Sequence, residues 1–139
     1  MRRYVIDYKI HPAVRELALK LTRHLPQKDF DGEIAALFDY VQNSIRYVRD
    51  INGVETVQTP IKTLEYGAGD CDDKALLLAA MLESLGHETR FYAVGFRPST
   101  ISHVLLECKL INGKWLALET TEPVRLGWTP PGVMEFRHA

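Results

Sequence analysis

The chain predicts an α+β fold, with N-terminal helices and a cysteine-bearing helix packed on a C-terminal antiparallel β-sheet. Three observations predict it. Apolar residues recur at helical spacing as far as Gly86. From Thr89 onward the pattern changes to runs rich in β-branched and aromatic residues. Asn112-Gly113 joins the last two of those runs as a hairpin. Helices followed by consecutive strands are the arrangement of an α+β domain. At 139 residues the chain reads as a single domain, 1–139, long enough to bury a sizeable core.

The elements follow in order. Residues 1–10 read as weakly strand-like or irregular. His11-Pro12 opens a helix, because proline suits the first helical turn. Val14, Leu17, Ala18, Leu21 and Leu25 set its spacing, and Pro26 ends it. Asp31 is expected to cap a second helix, whose apolar stripe is Ile34, Leu37, Phe38, Val41, Ile45 and Val48. Residues 49–66 lack periodicity. Asn52-Gly53 marks a turn there and Thr59-Pro60 an extended corner, with a short helical turn over 60–65.

Asp70 then caps a third helix, with Asp73 three residues on. Ala75, Leu78, Leu82 and Leu85 form its buried face, and Gly86 closes it. Strands are expected over 89–96, 101–111 and 114–120, followed by an irregular tail, 121–139, that packs through Leu126 and Trp128.

Composition excludes several functions. The net charge of −1 makes no electrostatic case for nucleic acid or an anionic membrane. No apolar run approaches the roughly 20 residues of a membrane span. Met1-Arg2-Arg3 runs into a mixed polar segment rather than the apolar stretch of a secretory signal. With only two cysteines, Cys71 and Cys108, the chain fits a reducing, cytoplasmic compartment. Cys108 falls at an apolar-facing strand position and reads as an inert buried thiol.

The chemistry concentrates at Tyr66-Gly67-Ala68-Gly69-Asp70-Cys71-Asp72-Asp73. A loop with two glycines delivers a cysteine to the start of an apolar helix, where unpaired N–H groups and the helix dipole favour a thiolate. Asp72 and Asp73 work against that by repulsion. A histidine follows at Ser102-His103-Val104 and an acid at Leu118-Glu119-Thr120. Thiol, imidazole and carboxylate make a Cys71-His103-Glu119 nucleophile system plausible. Read alone, His103 is equally an ordinary strand histidine, and Glu119 a solvated strand-end charge.

The hairpin supplies a test. A strict two-residue turn pairs Ile111 with Lys114 and points Glu119 away from His103. A three-residue loop pairs Leu110 with Lys114 and puts His103, Leu105 and Glu119 on one face. Gly113 suits the left-handed residue of such a loop, so a loop of 111–113 is expected.

No metal-ligand spacing is present, and His11, His24, His87 and His138 read as surface residues. Gly67-Ala68-Gly69 is no phosphate loop, since no Gly-Lys-Ser/Thr follows. Trp115 and Trp128 read as core or lid residues.

These residues resemble the transglutaminase-like cysteine superfamily in its small bacterial and phage-encoded form. The likeness runs from about Val54 to Pro131. It rests on Gly69-Asp70-Cys71-Asp72-Asp73 with the helix to Leu85-Gly86, on Ser102-His103-Val104 with Glu107, and on Gly113-Lys114-Trp115 leading to Leu118-Glu119-Thr120. Thr59-Pro60 with Leu64, and Leu126-Gly127-Trp128, resemble segments of the phage-type members. The resemblance implies a papain-like core with Cys71 as nucleophile, His103 as base and Glu119 in the acid position. The family usually has Asp where this chain has Glu119.

Two functions are weighed. The first is a thiol-dependent acyl-transfer enzyme, a cysteine protease or amidase-type hydrolase acting on peptide or protein amides through a thioester. It needs no cofactor or metal. The Cys71 N–H, and the side chain of Gln58, are its candidate oxyanion donors. Transamidation and deamidation are variants of the same chemistry. The second is a non-catalytic interaction module on the same fold, for which loss of the Cys71 thiol is harmless.

Overall fold

The computed structural model describes residues 1–49 and 57–139, and the expected Asn52-Gly53 turn lies outside them. The chain begins with α1 (Arg2–Tyr8), α2 (Pro12–Thr22) and α3 (Phe30–Ser44), followed by the short strand β1 (Arg46–Tyr47). Next come α4 (Pro60–Tyr66), β2 (Ala68–Gly69) and α5 (Cys71–Ser84). The remainder holds β3 (Thr89–Gly95), β4 (His103–Lys109), β5 (Trp115–Leu118) and β6 (Glu135–His138).

The helix α5 is the axis of the molecule. It is buried on all sides from Asp73 to Leu82, which is why its sequence is apolar all round rather than striped. Helices α1 to α4 and strands β4 and β3 all pack against it. Val14, Ala18, Ile34, Leu37, Phe38 and Val41 meet the α5 leucines in one core, which Phe91, Leu106, Cys108 and Leu118 close from the sheet. Val94, Leu105 and Ala117 form a smaller cluster on the opposite face. Tyr92 and Val133 pack against that cluster, so part of this face is covered from within the chain.

The four-stranded sheet has the order β5-β4-β3-β6, antiparallel throughout. The β4–β5 turn is the expected three-residue loop. Leu110 N–H donates to Lys114 O at 2.7 Å, Lys109 pairs with Trp115, and Gly113 takes φ +85°. Continued by one residue, this register sets Glu119 opposite Leu105, on the face that carries His103.

Some expectations are corrected. Residues 1–10 are helical. Val5 is fully buried in the core, and Arg2 forms an ion pair with Glu83 and donates to Thr89 O at 3.2 Å. One buried residue in a short helix leaves no periodic signal to read. The cap of α3 is Asp29, whose Oδ1 accepts from Gly32 N–H at 3.0 Å, and Asp31 sits inside the first turn. The tail is not wholly irregular, since 135–138 pairs with the free edge of β3, with Phe136 opposite Val94. So short a polar strand is induced by its neighbour and carries no alternation of its own. Leu126 does pack on the core, and Gly127 N–H donates to Ala117 O at 2.9 Å.

Three other histidines, His11, His87 and His138, have structural partners. His11 caps α2, accepting from Ala13 N–H at 3.1 Å. His87 is not a surface residue: its side chain is buried against Glu33 at 2.8 Å. His138 lies 3.0 Å from Glu107, which also binds Arg90 at 2.7 Å. The Arg90 guanidinium stacks 4.1 Å from the Trp115 ring centre. Glu107, part of the family-like pattern, thus braces the sheet.

Candidate active site

Cys71 is the first residue of α5. Three local devices put it there. Gly67 ends α4 in the left-handed region at φ +63°. The chain then pairs with β1 in parallel, Tyr47 opposite Gly69, with Val48 N–H donating to Gly69 O at 2.9 Å. Finally Asp70 and Asp73 form a reciprocal capping box: Asp70 Oδ1 accepts from Asp73 N–H at 3.0 Å, and Asp73 Oδ2 from Asp70 N–H at 3.1 Å. A Cβ on Gly69 would fall 2.6 Å from the Asp73 Cβ, so the tight approach requires glycine. Asp70→Ala is expected to lower unfolding free energy by about 1 kcal/mol in urea titration; an unchanged midpoint would mean that the box does not hold this helix end.

Asp73 is a structural carboxylate. It is buried and accepts from Gln58 N–H at 2.7 Å. Burial pushes its pKa up to about 6, against the pull of the Gln58 and Asp70 N–H groups. Cys108 is equally inert, its thiol pushed up to about 12 by burial, with the nearby Glu83 adding to the shift.

His103 opens β4. Its Nε2 lies 2.6 Å from Glu119 Oε2. Glu119 is 1% exposed, and its other oxygen, Oε1, accepts from Thr121 N–H at 3.2 Å and from the Thr121 hydroxyl at 2.9 Å. That clamp fixes the longer glutamate side chain and leaves one oxygen to face the imidazole. Cys71 neighbours the same ring closely enough to raise its pKa; Nε2 faces Glu119, so Nδ1 is the nitrogen open to sulfur. Burial opposes a charged His103, but the contacts with Cys71 and Glu119 outweigh it and raise its pKa to about 10.

Cys71, His103 and Glu119, widely separated in sequence, are therefore brought together. Gln58 is committed elsewhere. Its side-chain amide donates to Ala68 O at 3.1 Å and lies 3.4 Å from Thr63 Oγ1, tying its loop to the segment before Cys71.

A family model of the transglutaminase-like superfamily matches residues 15–120. The chain belongs to that superfamily. The match takes in α2 and α3 as well as the cysteine helix, a longer stretch than the motifs alone suggest. Among solved structures, calcium-bound LapG of Legionella pneumophila is 18% identical with a TM-score of 0.65, covering 95% of this chain and 77% of LapG. A candidate cysteine protease from Cytophaga hutchinsonii is 23% identical, TM-score 0.64, with 84% of this chain and 39% of that one covered. A candidate protease from Parabacteroides distasonis is 16% identical, TM-score 0.67, with 82% and 25% covered. The chain thus spans well under half the length of the last two. At such identities these likenesses describe the fold. No curated protein matches the sequence.

Three residues of this transglutaminase-like site were missed in the sequence. Thr121, two residues after Glu119, makes a local side-chain and backbone clamp of a kind serine and threonine favour, and that spacing was legible. Lys74 follows Asp72 and Asp73 at the polar start of the helix, where it reads as an ordinary solvated charge, so the sequence does not signal its burial. Tyr47 gives no signal, because only the β1–β2 pairing carries it toward the loop before Cys71. Burial and the neighbouring Cys71, Asp70 and Glu119 raise its pKa, so it remains a neutral phenol; Arg49 acts in the opposite sense. Among the described residues no three His, Cys, Asp or Glu side chains are grouped to hold a metal ion. Nor is any helix there long and apolar enough to cross a membrane.

Proposed function

We propose that the chain is a thiol-dependent hydrolase of peptide or protein amides, working through a Cys71 thioester. The observation that carries this reading is the His103–Glu119 contact, buried and clamped by Thr121, with Cys71 beside the same imidazole at a helix start.

Glu119 accepts the Nε2–H of His103 and fixes the ring, so that Nδ1 takes the Cys71 proton. The thiolate attacks the amide carbon, forming the S–C bond. The negative charge moves to oxygen, where the Cys71 backbone N–H, in the first turn of α5 and without an intrahelical partner, can receive it. As the C–N bond breaks, the imidazolium gives its proton to the leaving amine. Water then adds to the thioester, its proton passing to His103. The S–C bond breaks, and the proton returns to sulfur.

Glutamate in place of the family's aspartate fits this scheme, since the extra methylene is absorbed by the Thr121 clamp. Gln58 serves as the second oxyanion donor only if its amide leaves Ala68 O during the reaction.

The test is acylation with p-nitrophenyl acetate. A burst of nitrophenolate stoichiometric with protein is expected, with the acetyl group located on the Cys71 peptide by mass spectrometry and absent in Cys71→Ala. Faster deacylation on adding a primary amine would redirect the reading to transamidation. Wild-type protein that behaves like Cys71→Ala would overturn it.

A further inference from the structure

A lysine lies one helical turn beyond Cys71, at the head of the buried run of α5. Lys74 is 1% exposed. Its Nζ donates to Ile45 O at 2.7 Å and reaches Gln42 O at 3.4 Å, at the C-terminal end of α3. Gln42 in turn grips the segment that leaves β5. Its Nε2 lies 2.7 Å from both Glu122 O and Val124 O, and 3.4 Å from Glu119 O. One network therefore ties the Cys71 helix, the end of α3 and the segment bearing Glu119.

Holding an ammonium here is costly. Burial pushes Lys74 down to about 8, although the charge of Glu119 pulls it upward. An apolar side chain of similar volume generally serves stability as well or better at such a place. The charge calls for a role other than packing.

We propose that Lys74 is a positioning residue for the Cys71–His103–Glu119 group: its charge offsets the buried Glu119 carboxylate, and its hydrogen bonds, with those of Gln42, fix the segment that carries Glu119. This rests on the hydrolase reading above. With thiolate, imidazolium and carboxylate assembled, the site holds one surplus negative charge, and Lys74 balances it. Without Lys74, two anions share one imidazolium in a half-buried space, and a falling pH quenches the pair sooner.

The titratable groups that bear on Glu119 are His103 from β4, Lys74 from α5 and Tyr47 from β1. Cys71 bears on His103 and Tyr47, and Asp70 and Arg49 on Tyr47. From α3 the network receives the Gln42 and Ile45 carbonyls and the Gln42 amide.

The experiment is the pH profile of Cys71 alkylation by iodoacetamide, in wild type, His103→Ala, Lys74→Gln, Lys74→Arg and Gln42→Leu. Lys74→Gln keeps a donor for Ile45 O but removes the charge, and is expected to move the acid limb up by about one pH unit. Lys74→Arg restores the wild-type limb. Gln42→Leu removes hydrogen bonds but no charge, so it lowers the melting temperature and the plateau rate of alkylation without moving the limb, separating the effect of charge from that of positioning. A Lys74→Gln profile superimposed on wild type overturns the proposal while leaving the hydrolase reading intact. A wild-type profile that His103→Ala does not alter overturns both. If Lys74→Gln does not fold, Lys74→Met is read in its place under the same criteria.

Discussion

Replacing His103 with alanine is expected to slow iodoacetamide alkylation of Cys71 in neutral buffer by about 100-fold, the usual scale for losing a positioned acid–base partner. The imidazole both takes the thiol proton and, once charged, holds the thiolate beside it. Its pKa, raised to about 10 by Cys71 and Glu119 over the opposing effect of burial, keeps it protonated through the neutral range. Glu119→Gln retains the shape but removes the charge facing Nε2, so it should fall between wild type and His103→Ala. Equal labelling rates in wild type and His103→Ala would show that the thiol and the ring do not work together.

The same group sets a stability dependence of known sign. Because the folded-state pKa of His103 is raised above its ordinary value near 6.5, its stabilising contribution is complete below about pH 6.5 and is lost as pH rises through about 10. Lys74 acts oppositely. Its folded-state pKa is lowered to about 8, so it costs stability at neutral pH, and that cost fades as pH rises from about 8 toward its ordinary value near 10.4. His103→Ala should therefore flatten the alkaline decline in melting temperature.

Gly95→Ala is expected to destabilise the fold by about 2–3 kcal/mol, the upper range for overpacking a tight site. Gly95 is the last residue of β3, and a Cβ there would fall 1.4 Å from Thr100 O. The backbone has nowhere to retreat, because Met134 N–H donates to Gly95 O at 2.8 Å from one side and Ser102 N–H to Val94 O at 2.9 Å from the other. The clash can be relieved only by opening the turn that leads into His103. A fall in melting temperature of about 10 °C should thus accompany slower Cys71 alkylation. A variant that melts like wild type would mean that this turn opens at little cost.

Much of this was legible in the residues. The helix-capping pair Asp70 and Asp73 is local chemistry, and so is the glycine-rich approach to Cys71. The register of the β4–β5 hairpin followed from the demand that His103 and Glu119 share a face, together with a glycine able to adopt positive φ. Such features depend on neighbours within a few positions, where backbone preference and side-chain alternation act directly.

Long-range packing decided the rest. The amide of Gln58 turned to Ala68, Tyr47 came beside the cysteine loop through a two-residue parallel pairing, and Arg2–Tyr8 became a helix by docking on α5. The C-terminal 135–138 became a strand because β3 offered an unpaired edge. None of these carries a periodic signal, since each short segment takes its conformation from a surface supplied elsewhere. Lys74 unites both cases. Its place just ahead of the apolar run of α5 is plain from the chain, but its meaning depends on three distant segments converging on one buried charge, an arrangement that exists only once the core has closed.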